Sequence, residues 1–201
     1  MPTPSYSFGA PGGVLNAVSV PKSSTIAAFI DVSAYFKSDL LCQADTGTAA
    51  PASGNGTSFS AYPVAGNQTT NTLSTSVAVA ATSISVASKT AINPNQKIAL
   101  IAAASGVGEV VTVTGAPTGT GPFAVPISAT LNAYAANDHV YLMAQTTTLT
   151  VNPMSITPAP STDYSMQLAV ETGQYILAVY NPDTAQAVTA TVSRNDLKSY
   201  Q

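Results

Sequence analysis

Apolar and polar residues alternate with a period of two along most of this chain, and the 3.6-residue period of a helix is nearly absent. In "SSTIAAFIDVS" the residues Ile26, Ala28, Ile30 and Val32 share one parity, which predicts a strand. In "KSDLLCQAD" Leu40, Cys42 and Ala44 alternate with Asp39, Leu41 and Gln43, so that strand has one strongly apolar side. "VLNAVSVP" reads as a short strand closed by Pro21, and "GTSFSAYPVAG" as another bearing Phe59 and Tyr62. The clearest run is "DYSMQLAVETGQYILAVYNPDTAQAVTATVSRND". Met166, Leu168 and Val170 alternate, "ETGQ" turns, Ile176, Ala178 and Tyr180 alternate, "NPDTAQ" turns, and Val188, Ala190 and Val192 alternate again. Three strands in succession with short turns predict a meander. Helix has a claim only at "NAYAAND", for a turn or two.

Punctuation between these strands divides the chain. "MPTPSYSFGAPGG" is rich in Pro, Gly and Ser and predicts an extended arm over residues 1–13 that docks on a partner. "TGTAAPASGN" is a loop, and the polar "NQTTNTLSTS" reads as a linker into an inserted unit. That unit, over 69–146, contains "SVAVAATSISVAS", "QKIALIAAA", "EVVTVTG", "FAVPISATL" and "DHVYLMAQ", short strands joined by Gly and Pro turns. The expected fold is all-β: an antiparallel β-sandwich over 14–68 plus 147–201, with an inserted small domain of β-hairpins or β-barrel-like form.

Composition sharpens this picture. Charged residues are 7% of the chain, against roughly 25% in an average soluble protein. A surface so poor in charge is weakly protected against association, which predicts a subunit of an assembly and a homo-oligomer, dimer or trimer, that covers its strand edges. The six basic residues, Lys22, Lys37, Lys89, Lys97, Arg194 and Lys198, are scattered, so no footprint for a phosphate backbone emerges and nucleic acid is not expected as a direct partner. No apolar run reaches the roughly 18 residues of a membrane span. Cys42, the lone cysteine, has no internal disulfide partner, and the N-terminus lacks the ordered regions of a signal peptide, so folding in a reducing cytoplasm is expected.

Candidate chemistry is sparse. The nine acids are Asp31, Asp39, Asp45, Glu109, Asp138, Asp163, Glu171, Asp183 and Asp196, and most stand singly beside turn residues, where Asp bonds its own backbone. Glu171 in "ETGQ" and Asp183 in "NPDT" read as turn residues. Glu109 in "SGVGEVVTVTG" would share a face with Val107, Val111 and Val113 under strict alternation, and there an unpaired charge is costly. Glu109 is therefore functional, paired or outside the strand; with a Gly turn at "SGVG" and a strand that opens at "EVVTVTG", the carboxylate stands at a wet hairpin end or beside a neighbour such as Lys89 or His139. His139, the only histidine, follows Asp138, but no G-x-S-x-G elbow and no set of three or four metal ligands accompanies it. "SGVG" and "TGTG" lack the lysine and the strand-to-helix context of a phosphate cradle. No catalytic, cofactor or metal residue is assigned, and no enzyme activity is expected.

Two passages resemble known families. "TSISVASKTAINPNQKIALI", "GEVVTVTG" and "NAYAANDHVYL" are similar to a small β module of tailed-phage structural proteins. "IDVSAYF", "KSDLLCQAD" and "LAVETGQYILAVYN", Leu168 to Asn181, resemble turn and strand patterns of phage capsid decoration or cement proteins. The resemblance implies a virion protein made in the bacterial host cytoplasm, on the capsid exterior, bound to the major capsid protein and stabilising the shell. The inserted module leaves a neck, tail or fibre position as the alternative, with exposed Tyr134 or Tyr141 meeting host glycans. The family contributes no catalytic residue.

Overall fold

The computed structural model describes residues 12–46, 56–65, 71–144, 154–156 and 165–197. Most of the expected arm over 1–13, of the loop after Thr46 and of the stretch after Ala144 lies outside these residues, as do positions 67–70 of the expected linker.

Fourteen strands and no helix form among the described residues. They are β1 (Gly12–Val20), β2 (Ser24–Asp31), β3 (Lys37–Asp45), β4 (Thr57–Pro63), β5 (Asn71–Thr72), β6 (Ser83–Val86), β7 (Lys97–Ile101), β8 (Val107–Thr112), β9 (Phe123–Pro126), β10 (His139–Leu142), β11 (Met154–Ile156), β12 (Ser165–Glu171), β13 (Gln174–Asn181) and β14 (Val188–Leu197). The pairings described between them are antiparallel, and the fold is all-β and sandwich-like. "NAYAAND" makes no helical turn; Tyr134 forms a bridge with Val77 instead. The chain divides into two compact units. One comprises 1–25, 30–61 and 151–201, and the other 26–29 and 62–150. The sequence reading drew the insert at 69–146; the short piece Ile26–Phe29 groups with it because Ile26, Ala27 and Ala28 pair with Glu109, Gly108 and Val107 of β8.

In the first unit, one sheet has the order β1-β14-β3-β12, and β11, β4 and β13 lie in succession in the other. Alternation decides what is buried. Leu40, Cys42 and Ala44 of β3, Val188, Ala190 and Val192 of β14, and Leu168 and Val170 of β12 turn inward, while Leu41, Gln167 and Ala169 face out. The three C-terminal strands are not a meander. β12 and β14 both flank β3, and β13 belongs to the other sheet. Alternation specifies which side chains point inward but not which strand is the neighbour. The two-residue link after Glu171 changes sheets through Gly173, whose φ of +145° suits glycine. β13 also buries Ile176, Leu177, Ala178 and Val179 in succession, as a strand covered on both faces does. At the other end of β13, Asn181 is fully buried. Its Nδ2 donates to the carbonyls of Gln186 at 2.9 Å and Val20 at 3.2 Å, and its Oδ1 accepts from Asp183 N–H at 3.0 Å. Asp183 in turn accepts from the amides of Ala185 and Gln186, so it builds its turn as the sequence suggested.

In the second unit, β8, β7, β10 and β5 are neighbours in that order, and β6 pairs with β9. Bridges Leu73 to Val86 and Val113 to Ile127 close the two sets around Leu73, Ile84, Val86, Ile98, Leu100, Val111, Val113, Val125, Ile127, Val140 and Leu142. "SVAVAATSISVAS" yields only the four residues of β6, because a turn at Ala78–Ala81 with φ +61° at Ala80 interrupts it. Gly108 lies in β8 between Ala27 and Ile101, where a Cβ would stand 1.6 Å from the Leu100 carbonyl oxygen.

Candidate functional site

Glu109 is the third residue of β8 and keeps the inward parity of Val111 and Val113: all three are buried, with Glu109 only 2% exposed. The expected relief at a wet strand start does not occur, and neither Lys89 nor His139 supplies a countercharge. Lys89 Nζ sits 4.9 Å over the ring of Phe123, and His139 packs near Tyr141. The carboxylate is instead satisfied by donors. Leu131 N–H donates to Oε2 at 2.8 Å and Oε1 at 3.1 Å, Asn132 N–H to Oε1 at 2.9 Å, and Tyr134 Oη–H to Oε1 at 3.1 Å. A buried carboxylate that accepts two backbone amides and a phenol has its charge spread over dipoles, which is how a protein tolerates it in an apolar layer. Burial, then the charge of Glu109 and the bond to it, pushes the Tyr134 phenol well above its ordinary pKa, so the hydroxyl stays a donor.

Asp138 follows the same design. It is buried, with Oδ1 accepting from Ala103 N–H at 2.9 Å and Oδ2 from Ala135 N–H at 2.8 Å, while its carbonyl accepts from Leu73 N–H. Glu109 and Asp138 therefore fasten opposite ends of the segment Leu131–Asp138 in place. Their oxygens are spent on internal donors, and the two carboxylates position this loop. His139 Nδ1 is buried without a hydrogen-bond partner, and among the described residues no three His, Cys, Asp or Glu side chains group to hold a metal ion. Tyr134 and Tyr141 are 5% and 7% exposed, the latter stacked on Phe29 at 4.4 Å, so neither is the exposed glycan contact the sequence suggested. Among the described residues of this unit, the exposed large apolar side chains are Val79 and Leu131.

In the first unit the sequence reading passed over a second polar cluster. Arg194 Nε meets Asp196 Oδ2 at 3.2 Å, its Nη1 donates to the Asp31 carbonyl at 3.0 Å, and its guanidinium lies 5.7 Å from the Tyr35 ring centre. Asp31 also accepts from the Ser33 amide and hydroxyl and from Gln174 Nε2. Burial alone would raise the Asp31 carboxyl, but the Ser33 and Gln174 bonds and the nearby Arg194 charge outweigh it and hold the group below the usual carboxylate range. A signal was present: Arg194 and Asp196 continue the inward parity of Val188, Ala190 and Val192. Glu171 ends β12 opposite Lys37, and Cys42 is fully buried, a core residue as its alternation implied.

No protein-family model, curated protein or solved structure matches this chain.

Proposed function

We propose that the protein is a non-enzymatic structural component of a tailed-phage virion, a capsid decoration or cement subunit. In this reading it acts as a homo-oligomer that binds the major capsid protein on the outside of the shell and stabilises it. The observation that carries the reading is the fate of its few charges. Glu109, Asp138, Asp183 and Asp196 are turned inward and bonded there, so the surface is poorer in charge than a composition with 7% charged residues already implies. Such a surface suits burial against neighbours in an assembly, where many weak contacts add through multivalency. The sequence resemblance supplies the kind of assembly.

A neck, tail or fibre component is the second reading. It is favoured by the second unit being compact in itself and exposing Val79 and Leu131 on turns joined by Ala80 N–H to Thr130 O at 2.8 Å. Quantitative mass spectrometry of purified particles separates the two. A decoration subunit is expected in numbers comparable with the shell protein, with density over the shell in cryo-electron microscopy. A handful of copies at one vertex would refute the decoration reading and favour the second.

A further inference from the structure

The two edges of the β1-β14-β3-β12 sheet are built differently. β1 shifts register against β14 twice, between Gly13 and Leu15 and between Leu15 and Val18, and Ala17 within it has a φ of +50°. Bulges of this kind twist an edge away and prevent a further strand from adding. β12 has no such device. It pairs with β3 through seven consecutive residues, Ser165 to Glu171 against Gln43 to Lys37, without a shift. It contains no proline and no lysine, and among the described residues no strand pairs with its outer side. Its outward residues Gln167 and Ala169 are uncharged, and Leu41, opposite Gln167 on β3, is 43% exposed on the same face.

We propose that β12 is a pairing edge taken by β12 of a second copy, antiparallel about a two-fold axis through Leu168. A two-fold contact must be self-complementary, and this strand is. Leu168 meets Leu168 of the second copy on the inward side, and Gln167 meets Ala169 on the outward side, so the inward and outward faces of both sheets stay in phase. Charge is compatible as well. The strand's single charged residue, Glu171, lies three places from the axis, so the two glutamates are about 20 Å apart at opposite ends of the ribbon. The edge gives the homo-oligomer of the proposed function its interface, but it is tested on the free protein and can fail or succeed apart from any binding to a shell.

Sedimentation velocity over a range of concentrations reads the assembly directly. The wild-type chain is expected to approach twice its 20.3 kDa. Gln167→Lys combined with Ala169→Lys sets two pairs of like charges face to face, and is expected to weaken the dimer about ten-fold or more. Gln167→Lys combined with Ala169→Glu sets opposite charges at the same positions and is expected to restore it. Both positions face solvent in the single chain, and circular dichroism checks that each variant folds. As an independent probe, Gln167→Cys with Ala169→Cys is expected to give an oxidised dimer, and either substitution alone is not. A wild-type chain that stays monomeric, an assembly unchanged by the lysine pair, or a lysine and glutamate pair that fails to restore the dimer would each overturn the proposal.

Discussion

Removing the Glu109 carboxylate should cost the second unit several kcal/mol, and the structure allows the amount to be apportioned. Glu109→Ala withdraws the acceptor from Leu131 N–H, Asn132 N–H and Tyr134 Oη–H. Hydrogen bonds to a charged group contribute about 1.5–3 kcal/mol each, but Leu131 and Asn132 are exposed, so water recovers part of the loss at their amides. The phenol of Tyr134 is buried and has no such recourse, and the shortened side chain adds a cavity beside Val111. The total is about 3–5 kcal/mol. Glu109→Gln keeps one acceptor oxygen and turns an amide nitrogen toward Leu131 N–H, which costs about 2 kcal/mol, and Tyr134→Phe removes one donor at about 1 kcal/mol. Combined, the last two should fall short of additive, because they share Oε1. Urea unfolding followed by tyrosine fluorescence suits a chain without tryptophan. With a slope of about 2 kcal/mol/M, Glu109→Ala shifts the midpoint by about 2 M. Hydrogen exchange at Leu131 and Asn132 localises the effect. Unchanged protection of these two amides, or a loss below about 0.5 kcal/mol, would refute the role given to the carboxylate.

Three further outcomes are expected. Gly108→Ala forces a Cβ to 1.6 Å from the Leu100 carbonyl oxygen, so β7 and β8 must separate; a loss above about 4 kcal/mol should appear as a depressed melting temperature or insoluble expression, and a near-native melt would contradict the close approach. Burial pushes the Cys42 thiol up to about 12, so a thiol reagent at pH 8 should label it only after denaturation, and fast labelling of the native protein would show the strand opens. Because the folded-state pKa of Asp31 is lowered, its contribution to stability is present above the ordinary carboxylate value and is lost as pH falls through the lowered one. Ser33→Ala removes the hydroxyl donor and keeps the amide, and should raise the Asp31 pKa, measured by NMR titration of its carboxyl, and so move that acid loss to higher pH; an unmoved titration would show that the Ser33 hydroxyl does not hold the charge.

Strands with one buried face were legible in the sequence. "KSDLLCQAD" became β3 from Lys37 to Asp45, because a period-two pattern leaves only one way to bury Leu40, Cys42 and Ala44. Which strands pair was not legible. β12, β13 and β14 follow one another with short turns, yet β13 lies in a different sheet, and only the unbroken burial of Ile176 to Val179 distinguishes it. Glu109 shows the opposite failure. Its parity already placed it inward, and the sequence reading moved it to the strand start to spare an unpaired charge on an apolar face. The satisfying donors are two backbone amides 22 and 23 residues further on, and a main-chain N–H has no signature in sequence. Arg194 and Asp196 escape for a related reason: Arg194 counts as one of six basic residues scattered along the chain and Asp196 as one of the single acids, although both continue the inward parity of β14.

The separation between Glu109 and its donors bears on the order of events in folding. Tyr134 is 25 residues away in the chain, and the Leu131–Asn132 amides converge on the carboxylate only once β8 is paired and the bridge from Val77 to Tyr134 has formed. Such a clasp is expected to close late, after the loop has been brought round; interactions completed after the transition state leave the folding rate alone and slow the reverse step, so Glu109→Ala should speed unfolding and leave the refolding rate nearly unchanged in stopped-flow kinetics. The inward charge therefore governs how long the second unit stays shut more than how quickly it forms. In the particle role proposed above, lifetime is the quantity such a clasp protects.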